Sequence, residues 1–299
     1  MISSLSTSHG AILVDKPAGL TSAQVVSRLK RRFSFDKVGH AGTLDPDATG
    51  LLVVLVGKAT RLQDLFLGAS KGYSGTIRLG VVTDTDDLSG AILSSSECGI
   101  LGDEEERARL LGGLKDRFIG SQLQRPPAYS ALKVDGKRSY ALARRGEEVV
   151  LAPRPIEILA LDLEWIGADE LRYRVRCSKG TYVRSLARDI GEHLGVGGTV
   201  ASICREWSTP FALSEALPLD EITNETVERA WRSLEQLTEQ LPRVVLDPSA
   251  CAAVRQGLQW PLQTIDRCEA ESAALFDTEG QFRGVLALEG GSWRVRFLM

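Results

Sequence analysis

A mixed helix-and-strand fold ending in a small, mostly β module is what the sequence predicts, and three observations carry the prediction. Two stretches, 71–79 and 171–177, alternate apolar and polar residues with the period of a strand. Two others repeat apolar residues with the period of a helix, behind Thr21 and Thr181, each placed to cap one. From Leu241 the pattern changes to short apolar runs at 273–276, 282–288 and 293–297, separated by turns that contain Gly.

At 299 residues the chain is long enough for about two domains with a sizeable core. The apolar run at 51–56 falls far short of the ~20 residues that a membrane span needs. The Ser-rich start has neither a charged segment nor an apolar one of the export type, so the cytoplasm is the expected compartment and no membrane partner is expected. Cys98, Cys177, Cys204, Cys251 and Cys268 form no close pair, and the histidines are His9, His40 and His193, which argues against a metal site or a disulfide framework. The 36 Lys and Arg against 39 Asp and Glu give a net charge of −3, but the charges are not evenly spread. Residues 27–38 hold five basic side chains and one acidic, and 172–188 hold six basic and none acidic, whereas 215–240 hold seven acidic and two basic. A basic surface on an acidic protein suits a polyanion bound at one face.

In order along the chain, 11–14 reads as a short buried strand and 15–20 as a loop. Thr21 and Gln24 fit a capping box, followed by a helix with Val25, Val26, Leu29 and Phe33 on one face and Arg28, Lys30, Arg31 and Arg32 largely elsewhere. The string Gly-His-Ala-Gly-Thr-Leu-Asp-Pro-Asp-Ala-Thr-Gly at 39–50 has three glycines, a proline and two aspartates, so it is a shaped loop delivering the chain into the strand at 51–56. Pro46 pushes Asp45 towards an extended backbone, which aims its side chain by covalent geometry; an Asx turn before a strand is the simpler reading. Gly57 turns the chain and a helix is expected from Thr60 to Leu67. On the strand at 71–79, Tyr73, Gly75, Ile77 and Leu79 point one way and Ser74, Thr76 and Arg78 the other. The acidic loop at 83–90 fails as a calcium loop because Leu88 stands where an oxygen ligand is needed.

A helix is expected at 104–113, irregular chain at 125–133 and a basic helix at 138–145. Basic residues interleaved with Tyr129 and Tyr140 suit a nucleic-acid arm or an exposed helical hairpin equally. On the strand at 171–177, Arg172, Arg174 and Arg176 share one face, and three like charges repel unless acidic side chains or phosphates lie over them. The helix after Thr181 has Val183, Leu186, Ala187, Ile190 and Leu194 as its apolar face and Gly195 as its stop, with Tyr182 and Arg184 in its first turn. After Leu241 and Pro242 a short helix is expected to run through Val254.

The string at 39–50 resembles the signature loop of the pseudouridine synthases of the tRNA pseudouridine-55 (TruB) family. Further motifs of that family recur in order. They are Asp15 to Ser22 (Asp-Lys-Pro-x-Gly-x-Ser/Thr-Ser), Lys71-x-Tyr73, Thr83-Asp84-Thr85, Pro126-Pro127-x-Tyr129-Ser130-Ala131-x-Lys133, and Lys179-Gly180-Thr181-Tyr182-Val183-Arg184. Two departures stand out: Cys204-Arg205 where the family commonly has two arginines, and Thr199 at the place of a polar His. The resemblance spans roughly 11–211, with a looser likeness of the tail to a PUA-like domain.

The resemblance implies an α+β fold: a mixed, largely antiparallel central sheet with flanking helices, the pseudouridine synthase fold. It implies a catalytic domain at 1–240 with an RNA-gripping insertion at about 125–150, and a PUA-like RNA-binding domain at 241–299. The implied reaction is isomerisation of uridine 55 in the T loop of tRNA to pseudouridine, with no cofactor and no metal. Asp45 would be the nucleophile or base, paired with Arg184, with Asp84 as a second partner of that arginine. Tyr73 and Tyr182 would enclose the base, Ile203 would form the apolar wall of its pocket, and His40 would stack into the place the flipped base vacates. Lys16 would take a structural or substrate-side role, and Arg172, Arg174, Arg176, Lys179, Lys133 and Arg205 would meet RNA. The implied partner is the T arm of tRNA, bound by a monomer without a guide RNA. A glycosidase using Asp47 or Asp84 as a second carboxylate, and an RNA chaperone without essential catalysis, are the rival readings.

Overall fold

In the computed structural model, which describes residues 8–96, 104–130, 132–134, 136–143, 145, 147, 149, 151–263, 265 and 270–299, the apolar run at 11–14 is the middle of β1 (Gly10–Lys16). The cap behind it forms as the sequence predicts. Thr21 is the N-cap of α1 (Ser22–Phe33); its hydroxyl accepts from the Gln24 N–H, and the Gln24 side chain accepts from the Thr21 N–H. Val25, Leu29 and Phe33 are buried and the basic residues of the helix are exposed. β2 (Val38–His40) enters the Gly-rich loop, and β3 (Thr49–Val56) leaves it, pairing antiparallel with both β1 and β2. Gly57, at φ 61°, opens a 3₁₀ segment (Gly57–Leu62) that runs into α2 (Gln63–Gly68), so helical chain starts three residues before Thr60. β4 (Lys71–Leu79) has the bounds the alternation predicts.

β5 (Val81–Thr83) and β6 (Ile92–Ser95) flank the acidic loop as a hairpin. α3 (Glu104–Phe118) is longer than expected because Leu114 and Phe118 carry its apolar face on into the core. β7 (Gly120–Gln124) follows, then the two-residue strands β8 (Lys133–Val134) and β9 (Lys137–Arg138), the five-residue α4 (Ser139–Ala143), and the antiparallel pair β10 (Arg154–Trp165) and β11 (Glu170–Cys177). α5 (Val183–His193) starts one residue later than a Thr181 cap would place it. Gln124 brackets its entry instead, accepting from the Tyr182 N–H at 2.8 Å and donating to the Tyr182 carbonyl at 3.1 Å, while the Thr181 hydroxyl donates to the Ser178 carbonyl. β12 (Gly198–Ser208), β13 (Phe211–Ala212), β14 (Leu217–Pro218), α6 (Val227–Ala230), β15 (Trp231–Ser233) and α7 (Leu234–Leu237) complete the first part. The tail holds β16 (Arg243–Leu246), α8 (Pro248–Arg255), α9 (Trp260–Gln263), β17 (Ser272–Asp277), β18 (Phe282–Glu289) and β19 (Ser292–Leu298).

Among the described residues, eleven strands form one sheet along the order β14-β1-β3-β12-β4-β11-β10-β7, with β2, β13 and β15 paired off this path. It is largely antiparallel; β3–β12 and β1–β14 are the parallel pairs. The mixed sheet with helices packed on it is the fold the resemblance implies. One face is covered by α1 and α5: Val25 and Leu29 lie over Ile12, Val14, Leu52 and Val54, and Leu186 and Ile190 over Ile77, Tyr173 and Val175. Tyr73 and Ile203 touch both clusters, so the seam between α1 and α5 passes over them. On the opposite face Leu13, Leu51, Val53 and Leu55 share a core with Phe276, Phe282, Val285 and Phe297 of the tail's β16-β17-β18-β19 sheet. The sheet formed by β16–β19 thus shares a core with β1 and β3 of the larger sheet.

Candidate active site

The Gly-rich loop is held on both sides of Asp45 by groups from β1 and α1. Ser22 Oγ donates to the Leu44 carbonyl at 3.2 Å and accepts from the Leu44 N–H at 2.9 Å. Lys16, fully buried, gives its ammonium to three carbonyls: Pro17 at 2.8 Å, Leu20 at 2.7 Å and Pro46 at 2.9 Å. Gly19 N–H donates to the same Pro46 carbonyl at 2.9 Å. An ammonium has three donors, and here all three are spent on backbone carbonyls. Burial lowers its pKa, with Asp47 and Asp45 opposing.

Asp45 Oδ2 lies 2.9 Å from Arg184 Nε. The arginine side chain is 6% exposed and the aspartate's 42%, so the guanidinium is buried while the carboxylate remains partly open to solvent. Arg184 Nη1 donates to the Thr85 carbonyl at 2.8 Å and stands 3.4 Å from Asp87 Oδ2; Nη2 donates to the Tyr129 carbonyl at 2.8 Å. The second carboxylate on Arg184 is thus Asp87, not Asp84. Asp84 is occupied elsewhere, its Oδ1 accepting from the Ala91 N–H at 2.8 Å and its Oδ2 from Tyr129 Oη at 3.2 Å. Asp86 turns the acidic loop between them, at φ 59°, and pairs with Arg188 at 2.8 Å. Arg188 Nη2 also donates to the Arg125 carbonyl at 2.8 Å. Two arginines one helical turn apart thus fasten the acidic loop and the Arg125–Tyr129 segment to α5.

Burial pushes the Asp45 carboxyl above the ordinary carboxylate range; Arg184 pulls it down, and Asp87 and Asp47 push it further up. Although the side chain is partly exposed, burial remains the largest of these causes and sets the sign. Arg184 therefore moderates the shift without reversing it.

Along the seam, Tyr73 on β4 stands at the same register position as Arg205 on β12, and burial raises its pKa. Ile203, two residues back, lies half-buried on the same face, and its carbonyl accepts from Thr49 Oγ1 at 3.3 Å. Tyr182 enters α5 two residues before Arg184, and burial raises its pKa as well. His40 ends β2; its Nδ1 is buried and has no hydrogen-bond partner among the described residues. Burial and the Arg205 cation lower its pKa, against the Gly42 backbone. Asp45 thus lies within electrostatic reach of Arg184, Tyr73 and Tyr182, and Arg205 within reach of Tyr73 and His40.

Arg205 is not at the surface where an RNA phosphate would meet it. It is 1% exposed, with Nε donating to the Leu51 carbonyl and Nη2 to the Gly42 carbonyl. The inward face of β12 at this register carries the side chain under the loop instead of out to solvent. Arg172, Arg174 and Arg176 occupy the other face of the sheet from Tyr73, by strand alternation. Each has a partner in its own chain: Glu164 at 2.7 Å, Glu206 at 3.1 Å, and the Trp207 ring at 5.2 Å. Within the chain, acidic and aromatic side chains relieve their repulsion. Lys179 is exposed in the turn before α5. Lys133 lies in β8, and its side chain is outside the described residues, as are Cys98, Cys268 and residue 131. Thr199 is buried and its hydroxyl meets Thr83 Oγ1 at 3.1 Å, so it supports the acidic loop.

The sequence does not single out Asp86, Asp87, Arg188 or Gln124, and Ser22 enters it only as the last residue of the Asp15–Ser22 motif. The i, i+4 spacing of Arg184 and Arg188 opposite a run of aspartates is the available signal for the first three; Gln124 gives none.

Residues 30–183 match the model of the TruB family pseudouridylate synthases, N-terminal domain. A tRNA pseudouridine synthase B of Opitutus terrae is 42% identical over 236 residues, 79% of this chain and 96% of that one. One from Synechococcus sp. is 39% identical over 289 residues, 95% and 96% of the two chains. Among solved structures, a chain of a Cbf5-Nop10-Gar1 complex superposes with a TM-score of 0.72 at 24% identity, covering 100% of this chain and 87% of its own, which speaks to the fold.

Proposed function

The chain belongs to the TruB family of pseudouridylate synthases and is a tRNA pseudouridine synthase, and from that premise we propose that it isomerises uridine 55 in the T loop of tRNA, with Asp45 as its reactive group and no cofactor. The observation that carries the reading is the Asp45–Arg184 pair at 2.9 Å, with a carboxylate partly open to solvent and a buried guanidinium held by carbonyls behind it. Breaking an N-glycosidic bond and rejoining the base through carbon needs one carboxylate beside C1′ and the base, and a pocket that keeps the detached base from leaving. Addition to the sugar, addition to the pyrimidine and removal of a sugar proton all draw on that same group. Tyr73, Tyr182 and Ile203 enclose the base in this reading, and His40 stacks where the flipped uridine was. Its lowered pKa suits a neutral ring in that role. Asp84 and Lys16 hold the walls.

The segment at about 125–150, together with Lys179 and Lys133, grips the T arm, and the sheet at 241–299 adds tRNA affinity as a PUA-like domain without supplying chemistry. The enzyme works as a cytoplasmic monomer without a guide RNA. A tRNA chaperone without catalysis would have no need of a partly exposed carboxylate held on a buried arginine. The test is carbodiimide mapping of unmodified tRNA after reaction with the wild-type protein, since the isomerisation leaves mass unchanged. A single stop at position 55 is expected; a stop elsewhere would overturn the assigned target, and none would leave the chaperone reading.

A further inference from the structure

Three arginines are buried around the Asp45 loop, and they differ in what neutralises them. Arg184 and Arg188 meet carboxylates; Arg205, the most deeply buried at 1% exposure, forms no ion pair among the described residues. Its fork instead takes carbonyls on both arms of the loop, Gly42 at 3.2 Å before Asp45 and Leu51 at 2.7 Å after it. The loop packs closely on this residue, on its side chain at Gly42 and on its backbone at Gly50. A Cβ at Gly42 would sit 3.4 Å from Arg205 Nη1, and one at Gly50 would sit 2.5 Å from the Arg205 backbone carbonyl, with both glycines at positive φ, 117° and 96°. A second buried cation lies against the same glycine: Lys71 Cε would be 3.7 Å from the Gly42 Cβ, while its ammonium is held by the carbonyls of Phe66, Leu67 and Ala69. A guanidinium taken out of water without a counter-charge is costly, and an apolar residue would fill the space at less expense to the fold.

We propose that Arg205 is a positioning residue of the reaction: its fork ties both arms of the loop to the central strand and so fixes where the Asp45 carboxylate stands, and its unneutralised charge keeps the pocket floor positive beside Tyr73 and His40. The proposal rests on the synthase reading above. The geometry asks for a planar fork at two carbonyls, which one ammonium cannot reproduce. The charge is felt at His40, whose pKa burial and then Arg205 lower, and at the Tyr73 hydroxyl, where Arg205 opposes the effect of burial.

The experiment compares Arg205→Gln and Arg205→Lys with wild type in three measurements: single-turnover rate at saturating tRNA, tRNA affinity at one salt concentration, and the His40 pKa from its imidazole NMR signals. Arg205→Gln should slow the reaction by about 10²-fold, as displacement of a reacting group does, with little change in affinity. Its His40 pKa should rise, because a lowering charge has gone. Arg205→Lys should hold the His40 pKa near the wild-type value yet remain slow, since it supplies charge without the fork. Wild-type rates in both variants, parallel loss of rate and affinity, or a His40 pKa unmoved by Gln would overturn the inference. Should the Gln variant fail to fold, Arg205→Lys decides alone: a wild-type rate there rules out the fork. A wild-type protein that forms no pseudouridine would sink the synthase reading instead, so the two failures are distinguishable.

Discussion

Arginines occupy both faces of the central sheet, and the two sets behave as different residues. On the α5 face, Arg184 and Arg188 are 6% and 11% exposed, spread over two aspartates each and several carbonyls. On the opposite face, Arg172 and Arg174 are 58% and 69% exposed and each meets one glutamate. Exposed pairs contribute roughly 0–1 kcal/mol and are screened by salt. A buried pair whose one partner is removed leaves an uncompensated charge, at about 3–5 kcal/mol. Burial, not residue type, decides which arginines organise the site.

Substitution can sharpen or break that contrast. Arg184→Met should have the largest consequence, a fall of roughly 10²–10³-fold or more in single-turnover rate, as when a preorganised donor is lost. Arg184→Lys should recover little, because one ammonium cannot serve Asp45, Asp87 and two carbonyls together. Near-normal turnover in either variant would mean that Asp45 is held by its loop alone. Arg188→Met comes next. It leaves Asp86 buried and unpaired, so denaturant unfolding should show about 3 kcal/mol or more of lost stability, and hydrogen exchange at 83–90 should quicken first. His40→Ala should slow turnover by the equivalent of roughly 1–3 kcal/mol, with His40→Phe recovering much of it, if the ring works by stacking. A Phe variant as slow as Ala would point to a hydrogen bond from the imidazole instead. The smallest effect is expected opposite: Arg172, Arg174 and Arg176 changed together to Gln should leave the salt dependence of tRNA binding unchanged. A log–log slope shallower by about 0.7–0.9 per residue would return them to the RNA interface.

The same contrast explains what sequence reading could reach. Strand alternation gave β4 to the residue and β11 nearly so, and the Thr21 capping box formed with both bonds in place. These signals are local. β12 was not read as a strand because it pairs through two register shifts, after Val200 and after Arg205, which break the period of two. Arg205 was misread for a related reason: a cation next to a motif looks like a phosphate contact, and only the pairing of β12 with β3 and β4 turns it inward. The choice of Asp87 over Asp84 likewise hangs on the left-handed turn at Asp86, which no composition announces. The tail's strands were legible, whereas the core it shares with β1 and β3 needed the tertiary fold. A chain ending near residue 240 would bare that core, so tRNA-affinity effects of the tail are better sought with exposed substitutions than with truncation.

The raised pKa of Asp45 makes a claim about stability that accompanies the claim about chemistry. A carboxyl whose pKa rises on folding favours the fold most when protonated, and that contribution fades as pH climbs through the folded value. At neutral pH the ionised carboxylate favours the fold less than the protonated one would, but Asp45→Asn also takes the nearer carboxylate from the buried Arg184, so a modest drop in melting temperature is expected. The single-turnover rate should fall on acidification at a pH above the ordinary Asp value of about 3.9, because the reactive form is the ionised one.

The most direct measurement is pseudouridine formed by excess Asp45→Asn protein on unmodified tRNA, read in one turnover beside a binding isotherm at a stated salt concentration. With the carboxylate as the reactive group, binding stays near wild type and the rate falls by roughly 10⁴-fold or more, at least ~5.5 kcal/mol of barrier. Robust product from the Asn variant would contradict the account, and loss of product and binding together would reduce Asp45 to a turn residue of its loop.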